Sequence, residues 1–271
     1  MLNNRQVGFL SRFHSETGRL VKQLGLLETI YVDEAGNQHS SRRQKMHKLA
    51  IQPFDYVIAV DFKATCWENI APPKWRESEI IEFPAILVNL KTGKIESEFH
   101  EYIMPIESPK LSAFCTELTG ITQKTVDTGM PLQTALMMFQ EWLRKELRAR
   151  NLHLPKMSKD NKMGNCAFVT WSDWDFGVCL AKECQRKRLK KPQFFNQWID
   201  LRALFREWYN YKPINFNDAL QHVGLEFEGR EHSGIDDAKN LAALACKMVN
   251  DGASLAITKD LTPFQLNMNF G

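Results

Sequence analysis

The segment formed by residues 56–66 constrains the fold of this chain more than any other part of the sequence. Its first five residues are the apolar run Tyr56-Val57-Ile58-Ala59-Val60, whose β-branched side chains predict a buried strand. Asp61 follows directly, at the point where the predicted strand ends. Because reactive groups in open α/β sheets gather at the carboxyl ends of strands, this acid is a candidate site residue.

The segments that follow predict an α/β domain. Residues 85–90 and 95–103 are strand-like and flank a predicted hairpin turn. Apolar residues at helical spacing predict one long helix over residues 125–150. Beyond it, strands are predicted at residues 166–171 and 198–201, and helices at residues 176–189, 216–223 and 236–249. Three strands followed by alternating helices and strands predict a mixed β-sheet flanked by helices.

Composition narrows the class of protein without naming a function. A hydrophobic fraction of 44% with 25% charged residues over 271 residues fits a globular protein with a sizeable core. A formal charge of +3 is too small to indicate nucleic-acid binding by itself. The six cysteines include no CxxC pair, which argues for reduced thiols in an intracellular protein. The sequence shows no secretory signal and no apolar run long enough for a membrane span.

Three acids and one histidine lie at predicted element ends. Asp175 follows the strand predicted at residues 166–171, while His232 and Asp237 flank the start of the last long helix, with Ser233 as its predicted cap. A lone acid at such a position is usually a helix cap or a surface group. Together with Asp61, however, the set has the composition of a two-metal site that cleaves phosphodiesters.

Several further strings carry a resemblance to a known family. They are Glu79-Ile80-Ile81-Glu82-Phe83-Pro84, Leu118-Thr119-Gly120-Ile121-Thr122-Gln123, Trp198-Ile199-Asp200-Leu201 and residues 232–240. With them the chain resembles the DEDDh 3′–5′ exonucleases of the ribonuclease H-like fold, in the eukaryotic branch of the histone-mRNA and enhanced-RNAi exonucleases. The expected organisation is an N-terminal extension with a basic linker (residues 1–50), an exonuclease domain (residues 51–252) and a C-terminal tail (residues 253–271).

The resemblance implies a role for each position that matches the family motifs. Two Mg²⁺ or Mn²⁺ ions are expected, held by the carboxylates of Asp61, Asp175 and Asp237. His232 is expected to take the proton from the attacking water, a task that suits an imidazole. Ala64 and Thr65 are expected to line the pocket for the 3′-terminal nucleotide. The neighbouring acids Asp173 and Asp236 do not match the motif positions.

Lys63 departs from the family pattern, because the resemblance implies a metal-binding glutamate at this position. An ammonium group has no lone pair and therefore cannot bind a metal. Three explanations stay open: a single-base codon change, a binding protein that has lost cleavage and uses Lys63 to contact phosphate, and a slow one-metal nuclease in which Lys63 replaces the missing cation.

The function that we expect is metal-dependent 3′–5′ exonucleolytic hydrolysis of RNA and/or DNA to nucleoside 5′-monophosphates, weakened by Lys63. The alternative is a catalytically inactive nucleic-acid-binding protein on the same scaffold. The expected partners are RNA or DNA 3′ ends and no membrane. A monomer in the cytoplasm and/or nucleus is expected, and the sequence does not indicate protein partners.

Overall fold

The computed structural model describes residues 30–32, 38–40, 52–68, 77–157 and 164–261. The chain divides into two compact units, Met1–Ala50 and Ile51–Gly271. In the first unit, strand β1 (Ile30–Val32) pairs antiparallel with strand β2 (Gln38–Ser40). The basic residues of the expected linker, 42–45, lie outside the described residues.

The second unit is built on a mixed sheet, which confirms the predicted fold class. Its strands are β3 (Tyr56–Val60), β4 (Lys63–Ala64), β5 (Ile80–Asn89), β6 (Ile95–Tyr102), β7 (Cys166–Thr170), β8 (Gln197–Asp200) and β9 (Lys259–Asp260). Their order is β4-β5-β3-β7-β8-β9, and β6 also pairs with β5. The pairs β3–β7 and β7–β8 are parallel, whereas β5 pairs antiparallel with β3, β4 and β6.

Strand β3 lies at the centre of the sheet and is buried on both faces. Because successive side chains of a strand point to opposite faces, Ile58 and Val60 enter one core and Val57 and Ala59 the other. The first core is largely aromatic, with the rings of Phe83 and Phe139 4.8 Å apart. This double burial explains why the sequence of β3 is a continuous apolar run.

Along the chain, the described helices come after the strands β6, β7 and β8. They are α1 (Ala113–Thr119), α2 (Gln123–Asp127), α3 (Leu132–Ala149), α4 (Leu180–Arg186), α5 (Leu201–Tyr209), α6 (Phe216–His222) and α7 (Gly234–Asn250). A π-helical turn, Trp174–Cys179, precedes α4, and a 3₁₀ turn, Gln193–Asn196, precedes β8. Within these described helices, none is long and apolar enough to cross a membrane.

The helix predicted over residues 125–150 is two helices, α2 and α3. Gly129 separates them where the chain passes close to the end of β6, since a Cβ on this residue would lie 2.9 Å from the carbonyl oxygen of Tyr102. Pro131 then occupies the cap position of α3. Apolar periodicity continues across the break, which is why it predicted a single helix.

The segment after α7 contributes to the sheet, in contrast to the tail expected from residue 253 onward. Ala253 and Leu255 are buried in the second core. Strand β9 then pairs antiparallel with β8, with Gln197 opposite Asp260. Residues 262–271 lie outside the described part of the chain.

Candidate active site

Asp61 lies where β3 leaves the sheet. The strand ends at Val60, and the backbone N–H of Phe62, the residue after Asp61, donates a hydrogen bond to Asp175 Oδ1 at 2.8 Å. This bond joins the end of β3 to the π-helical turn that follows β7. Because β3 and β7 are parallel neighbours, their carboxyl ends meet at the same edge of the sheet, as predicted.

Asp175 is almost completely buried, with 3% of its surface exposed. Burial and the nearby charge of Asp61 raise the pKa of Asp175 well above its ordinary value, although the hydrogen bond from Phe62 and the charge of Lys63 lower it in part. The neighbouring acid Asp173 is engaged elsewhere, because its carboxylate accepts from Trp198 Nε1 at 3.1 Å and pairs with Lys259 at 3.0 Å. Asp175 is therefore the acid of this turn that contacts the candidate site.

Asp237 is carried into the site by the first turn of α7. Burial and, to a smaller extent, the charge of Asp61 raise the pKa of Asp237, Lys63 opposes them, and the resulting pKa is about 6. Asp236, in contrast, accepts a hydrogen bond from the Arg230 backbone N–H at 3.0 Å and so helps to close the preceding loop. The structure thus separates the roles of these two adjacent acids.

Glu82 of β5 anchors the start of α7, a role that the sequence analysis did not identify. Its buried carboxylate accepts from the backbone N–H groups of Gly234 at 2.8 Å and Ile235 at 3.1 Å. Ser233, the predicted cap, occupies the cap position, but within the described residues its hydroxyl makes no capping hydrogen bond. A Cβ at position 234 would lie 2.7 Å from Glu82 Oε2, so this close approach requires glycine.

Lys63 lies between the carboxylates of Asp61 and Asp237 and pairs with both. Its Nζ donates to Asp237 Oδ2 at 2.5 Å and also to Asp61 Oδ2. Burial alone would lower the pKa of Lys63, but the two carboxylates outweigh that effect and raise the pKa above its ordinary value. Lys63 is therefore a charged ammonium held between Asp61 and Asp237.

The residues present do not fit a pair of divalent ions. The Lys63 ammonium fills the space in which a cation shared by Asp61 and Asp237 would lie, and it cannot itself bind a metal. In the described part of the chain, no group of three or more His, Cys, Asp or Glu side chains has the arrangement that could hold a metal ion. The three expected acids therefore meet, but the single positive charge of Lys63 is paired with two of them.

His232 lies at the rim of a cleft beside this cluster. Its backbone has a φ of +67°, and its N–H donates to the Asp237 carboxylate, which ties the loop to the site. The cleft has a volume of about 450 Å³. Its lining combines three residues of α1 with polar residues of two loops: Phe114, Glu117 and Leu118 from the helix, and Glu68, Arg230, Glu231 and His232 from the loops.

Arg230 connects the two walls of this cleft. Its Nη2 donates to the Glu117 carbonyl oxygen of α1 at 2.7 Å. The guanidinium packs over Gly120, whose φ of +76° ends α1 and where a Cβ would collide with Arg230. The sequence analysis did not identify Arg230, because its partner lies in a helix that the periodicity did not predict.

The residues expected to line the nucleotide pocket are mostly buried. Ala64 lies in β4 and is 9% exposed, and Thr65 is 2% exposed. The Thr65 hydroxyl accepts from the Glu79 backbone N–H at 3.0 Å. The Thr65 side chain is therefore engaged with the start of β5 and is not displayed to the cleft.

Comparison with known proteins agrees with this geometry. The "Exonuclease" family model matches residues 58–245. The Drosophila melanogaster protein "3'-5' exonuclease Snipper" is 65% identical over 275 residues, covering 93% of this chain and 98% of that protein. Homo sapiens "ERI1 exoribonuclease 2" is 46% identical over 257 residues, covering 94% of this chain but only 36% of that protein. The chain thus spans about a third of the length of exoribonuclease 2.

A solved structure supports the same assignment. The nuclease domain of 3'hExo, described as a DEDDh family member bound to rAMP, superposes with a TM-score of 0.67 and 34% identity. The match covers 77% of this chain and 98% of that chain. The region matched by the family model contains Asp61, Asp175 and Asp237. The chain therefore belongs to the exonuclease family, within the DEDDh 3′–5′ exonucleases of the ribonuclease H-like fold.

Proposed function

We propose that this chain is a metal-dependent 3′–5′ exonuclease that releases nucleoside 5′-monophosphates from RNA and/or DNA, and that Lys63 weakens the reaction. One observation carries the proposal: Asp61, Asp175 and Asp237 come from three separate elements and meet beside the cleft that contains His232. The names of relatives, a 3'-5' exonuclease and an exoribonuclease, support this reaction class.

The chain's own residues have distinct tasks in this proposal. His232 takes the proton from the attacking water, because a ring nitrogen of an imidazole can accept a proton and this side chain lies at the exposed rim of the cleft. Asp61, Asp175 and Asp237 are the residues that would hold Mg²⁺ or Mn²⁺ if the ion displaced the Lys63 ammonium from Asp61 and Asp237, which is why Lys63 weakens the reaction. Such ions, when bound, stabilise charge on the attacking and leaving oxygens. Phe114 and Leu118 supply apolar surface against which a terminal base can pack.

A specific observation favours the second candidate, a nucleic-acid-binding protein without cleavage. Because the Lys63 ammonium is bound by both Asp61 and Asp237, it competes with any cation for the same carboxylates. The cleft around His232 is separate from this ion pair and remains open to a 3′ end. Binding therefore does not require the metal that cleavage requires.

A ladder assay distinguishes the two candidates. A 5′-labelled linear RNA or DNA is incubated with the chain and Mg²⁺ or Mn²⁺, alongside a circular substrate and a reaction that contains EDTA. An exonuclease shortens the linear substrate from its 3′ end, spares the circle and stops in EDTA. The inactive binder retards the linear oligonucleotide in a gel but leaves its length unchanged. Cleavage of the circle, or full activity in EDTA, would contradict the exonuclease proposal.

Asp61→Ala and Asp237→Ala are the matched site variants for this assay. Each carboxylate lies at an element end and contributes to no hydrophobic core, so we expect the variants to fold and to lose the remaining hydrolysis. The proposal also assigns residues 51–252 to the exonuclease domain, together with residues 253–261, which pack into its core and sheet, and treats the protein as a monomer. The six cysteines all lie in described ranges and are free thiols, which supports a site of action in the cytoplasm and/or nucleus.

A further inference from the structure

Two cysteines from distant parts of the sequence meet behind the cleft. Cys66 follows β4 by two residues, and Cys115 lies in the first turn of α1. Cys115 is fully buried and Cys66 packs against it in a small core of its own. Each thiol shifts the pKa of the other, as expected for neighbouring side chains of one cluster. The fold therefore brings the two cysteines together, although 48 residues separate them in the sequence.

One hydroxyl group fixes the backbones of both cysteines. Ser112 Oγ donates to the Cys66 carbonyl oxygen at 2.7 Å and accepts from the Cys115 N–H at 2.9 Å. The Cys115 thiol also contacts the Ala64 carbonyl oxygen at 3.8 Å. A disulfide requires Cβ atoms about 3.8 Å apart, and two cysteines that pack in one cluster and share one hydroxyl partner are suited to reach that geometry.

The two thiols differ in acidity and in access to solvent. The neighbouring Cys66 thiol lowers the pKa of Cys115 to about 7, whereas the Cys115 thiol and burial raise the pKa of Cys66. Thiolates are the reactive form of cysteine, so the pair has a reactive singly protonated form near neutral pH. Cys66 is partly exposed, so a small oxidant reaches its sulfur first.

We propose that Cys66 and Cys115 are a redox modification site that closes to a disulfide when a small peroxide oxidises it. The Cys66 sulfur attacks one peroxide oxygen while its proton passes to Cys115; the O–O bond breaks, and Cys66 becomes a sulfenic acid. The released hydroxide takes the proton back from Cys115 and becomes water. The Cys115 thiolate then attacks the Cys66 sulfur, the S–O bond breaks, and a second hydroxide leaves. Two electrons pass from the sulfurs to the peroxide.

The disulfide acts on the cleft through the elements that carry its two halves. Helix α1 presents Phe114 and Leu118 to the cleft, and Glu68 lies two residues after Cys66. Bond formation shortens the sulfur separation to about 2 Å, which draws α1 toward β4 and changes the width of the cleft. We therefore expect oxidation to weaken binding of a 3′ end. This consequence rests on the proposed function, whereas formation of the disulfide does not.

Peptide mapping of the full chain tests the disulfide directly. The reduced protein is treated with hydrogen peroxide, alkylated, digested without reductant and analysed by mass spectrometry. We expect a peptide pair linked through Cys66 and Cys115 that disappears after treatment with dithiothreitol. Cys66→Ser should abolish the linked pair, whereas Cys246→Ser, which removes a buried thiol on α7, should leave it in place. Continued alkylation of both cysteines, or oxidation of Cys66 that stops at the sulfinic acid, would overturn the proposal.

Binding of a 3′-ended oligonucleotide tests the consequence separately. The oxidised chain should bind at least about threefold more weakly than the reduced chain, with recovery in dithiothreitol and no oxidation effect in Cys66→Ser. A mapped disulfide without a change in binding would refute the effect on the cleft. If even the reduced chain fails to bind, the proposed function fails, while the mapping experiment still decides whether the redox site exists.

Discussion

At the level of single residues, Lys63 sets the electrostatics of the site. It lies 174 positions before Asp237 in the sequence, yet its ammonium contacts that carboxylate at 2.5 Å. A glutamate at this position would remove the positive charge and add a carboxylate able to bind an ion. We expect Lys63→Glu to raise the exonuclease rate by at least about 10²-fold, because one metal ligand contributes several kcal/mol to stabilising the transition state.

Lys63→Gln is the control for charge alone, since it removes the ammonium without adding a carboxylate. A large rate increase in the glutamate variant and a small one in the glutamine variant indicate that the ligand matters. Unchanged activity in Lys63→Glu means that Lys63 works in an altered mechanism or that the site is defective elsewhere. A measurable metal-dependent rate in the starting chain supports the first of these explanations, and its absence supports the second.

His232 is the second residue whose role can be isolated. If it takes the proton from water, His232→Ala in the Lys63→Glu background should lower kcat roughly 10²–10⁴-fold and change oligonucleotide affinity much less. The backbone at this position has a φ of +67°. Because asparagine tolerates that conformation, His232→Asn removes the imidazole with little added strain and is the matched variant. Equal losses of affinity and turnover would assign His232 to substrate holding.

At the level of secondary structure, Glu82 links a strand of the sheet to the helix that carries Asp237. Its carboxylate accepts two backbone N–H groups of α7 and lies 2.8 Å from His100 Nε2. Glu82→Gln turns one of its acceptor oxygens into a donor inside a buried site. We expect a loss of about 1–3 kcal/mol in the free energy of unfolding, measured with urea.

Glu98→Gln is the control for this experiment. Glu98 lies on the next strand, β6, and pairs at the surface with Lys239 at 3.0 Å, with 43% of its side chain exposed. Exposed pairs contribute little, so this variant should stay within about 0.5 kcal/mol of the starting chain. Similar losses in both variants would show that the buried carboxylate does not anchor α7.

The π-helical turn that carries Asp175 rests on Lys191, whose Nζ donates to the Phe176 carbonyl oxygen at 2.7 Å. Burial lowers the pKa of Lys191 from 10.5 to about 8. Between these values the unfolded chain holds a proton that the folded chain has released, so the Lys191 contribution to stability rises with pH. The free energy of unfolding of the starting chain minus that of Lys191→Met should therefore rise from about pH 8 to about pH 10.5. Below about pH 8 this difference should stay constant.

Urea unfolding at about pH 7 and about pH 9.5 checks this expectation. Lys190→Met changes the exposed neighbouring lysine and should shift stability by less than about 0.5 kcal/mol at both pH values. A difference between the starting chain and Lys191→Met that falls with increasing pH would show that the folded protein holds the Lys191 proton more tightly than the unfolded chain does.

At the level of the whole molecule, the sequence predicted those parts of the fold that local patterns determine. Strands β3 and β7 were visible because both of their faces are buried, which makes their sequences continuously apolar. Strands β4 and β9 have two residues each and exist through their partners, so no local pattern indicated them. Helix α1 is too short for a clear period.

The candidate site, too, was predicted where local patterns determine it and missed where distant residues do. The acids were found because they end elements and match a family pattern, and the structure brings them together. The position of Glu82 was missed because its partner Gly234 is 152 residues away. The ion pair between Lys63 and Asp237 was missed for the same reason, since sequence reasoning identified the substitution but not the contact. Interactions between distant residues arise only when the sheet and α7 are assembled.

Binding of a metal ion at this site can be measured as a shift in the thermal unfolding temperature of the whole domain. An ion that binds only the folded state adds about 2.7 kcal/mol at a hundred times its Kd, which raises Tm by roughly 5–10 °C for a domain of this size. We expect Mn²⁺ to produce such a shift in Lys63→Glu. In the starting chain, where an ammonium is bound to Asp61 and Asp237, the shift should stay below about 1 °C.

The double variant Lys63→Glu/Asp237→Ala should lose the shift, because it lacks one of the carboxylates on which the ion depends, and EDTA should reverse the shift in the single variant. Without metal, Lys63→Glu should unfold at a lower temperature than the starting chain, since a third carboxylate beside Asp61 and Asp237 replaces an ion pair with repulsion. An equal Mn²⁺ shift in the starting chain would contradict the exclusion of metal by Lys63, because the ion would then bind while the lysine is in place.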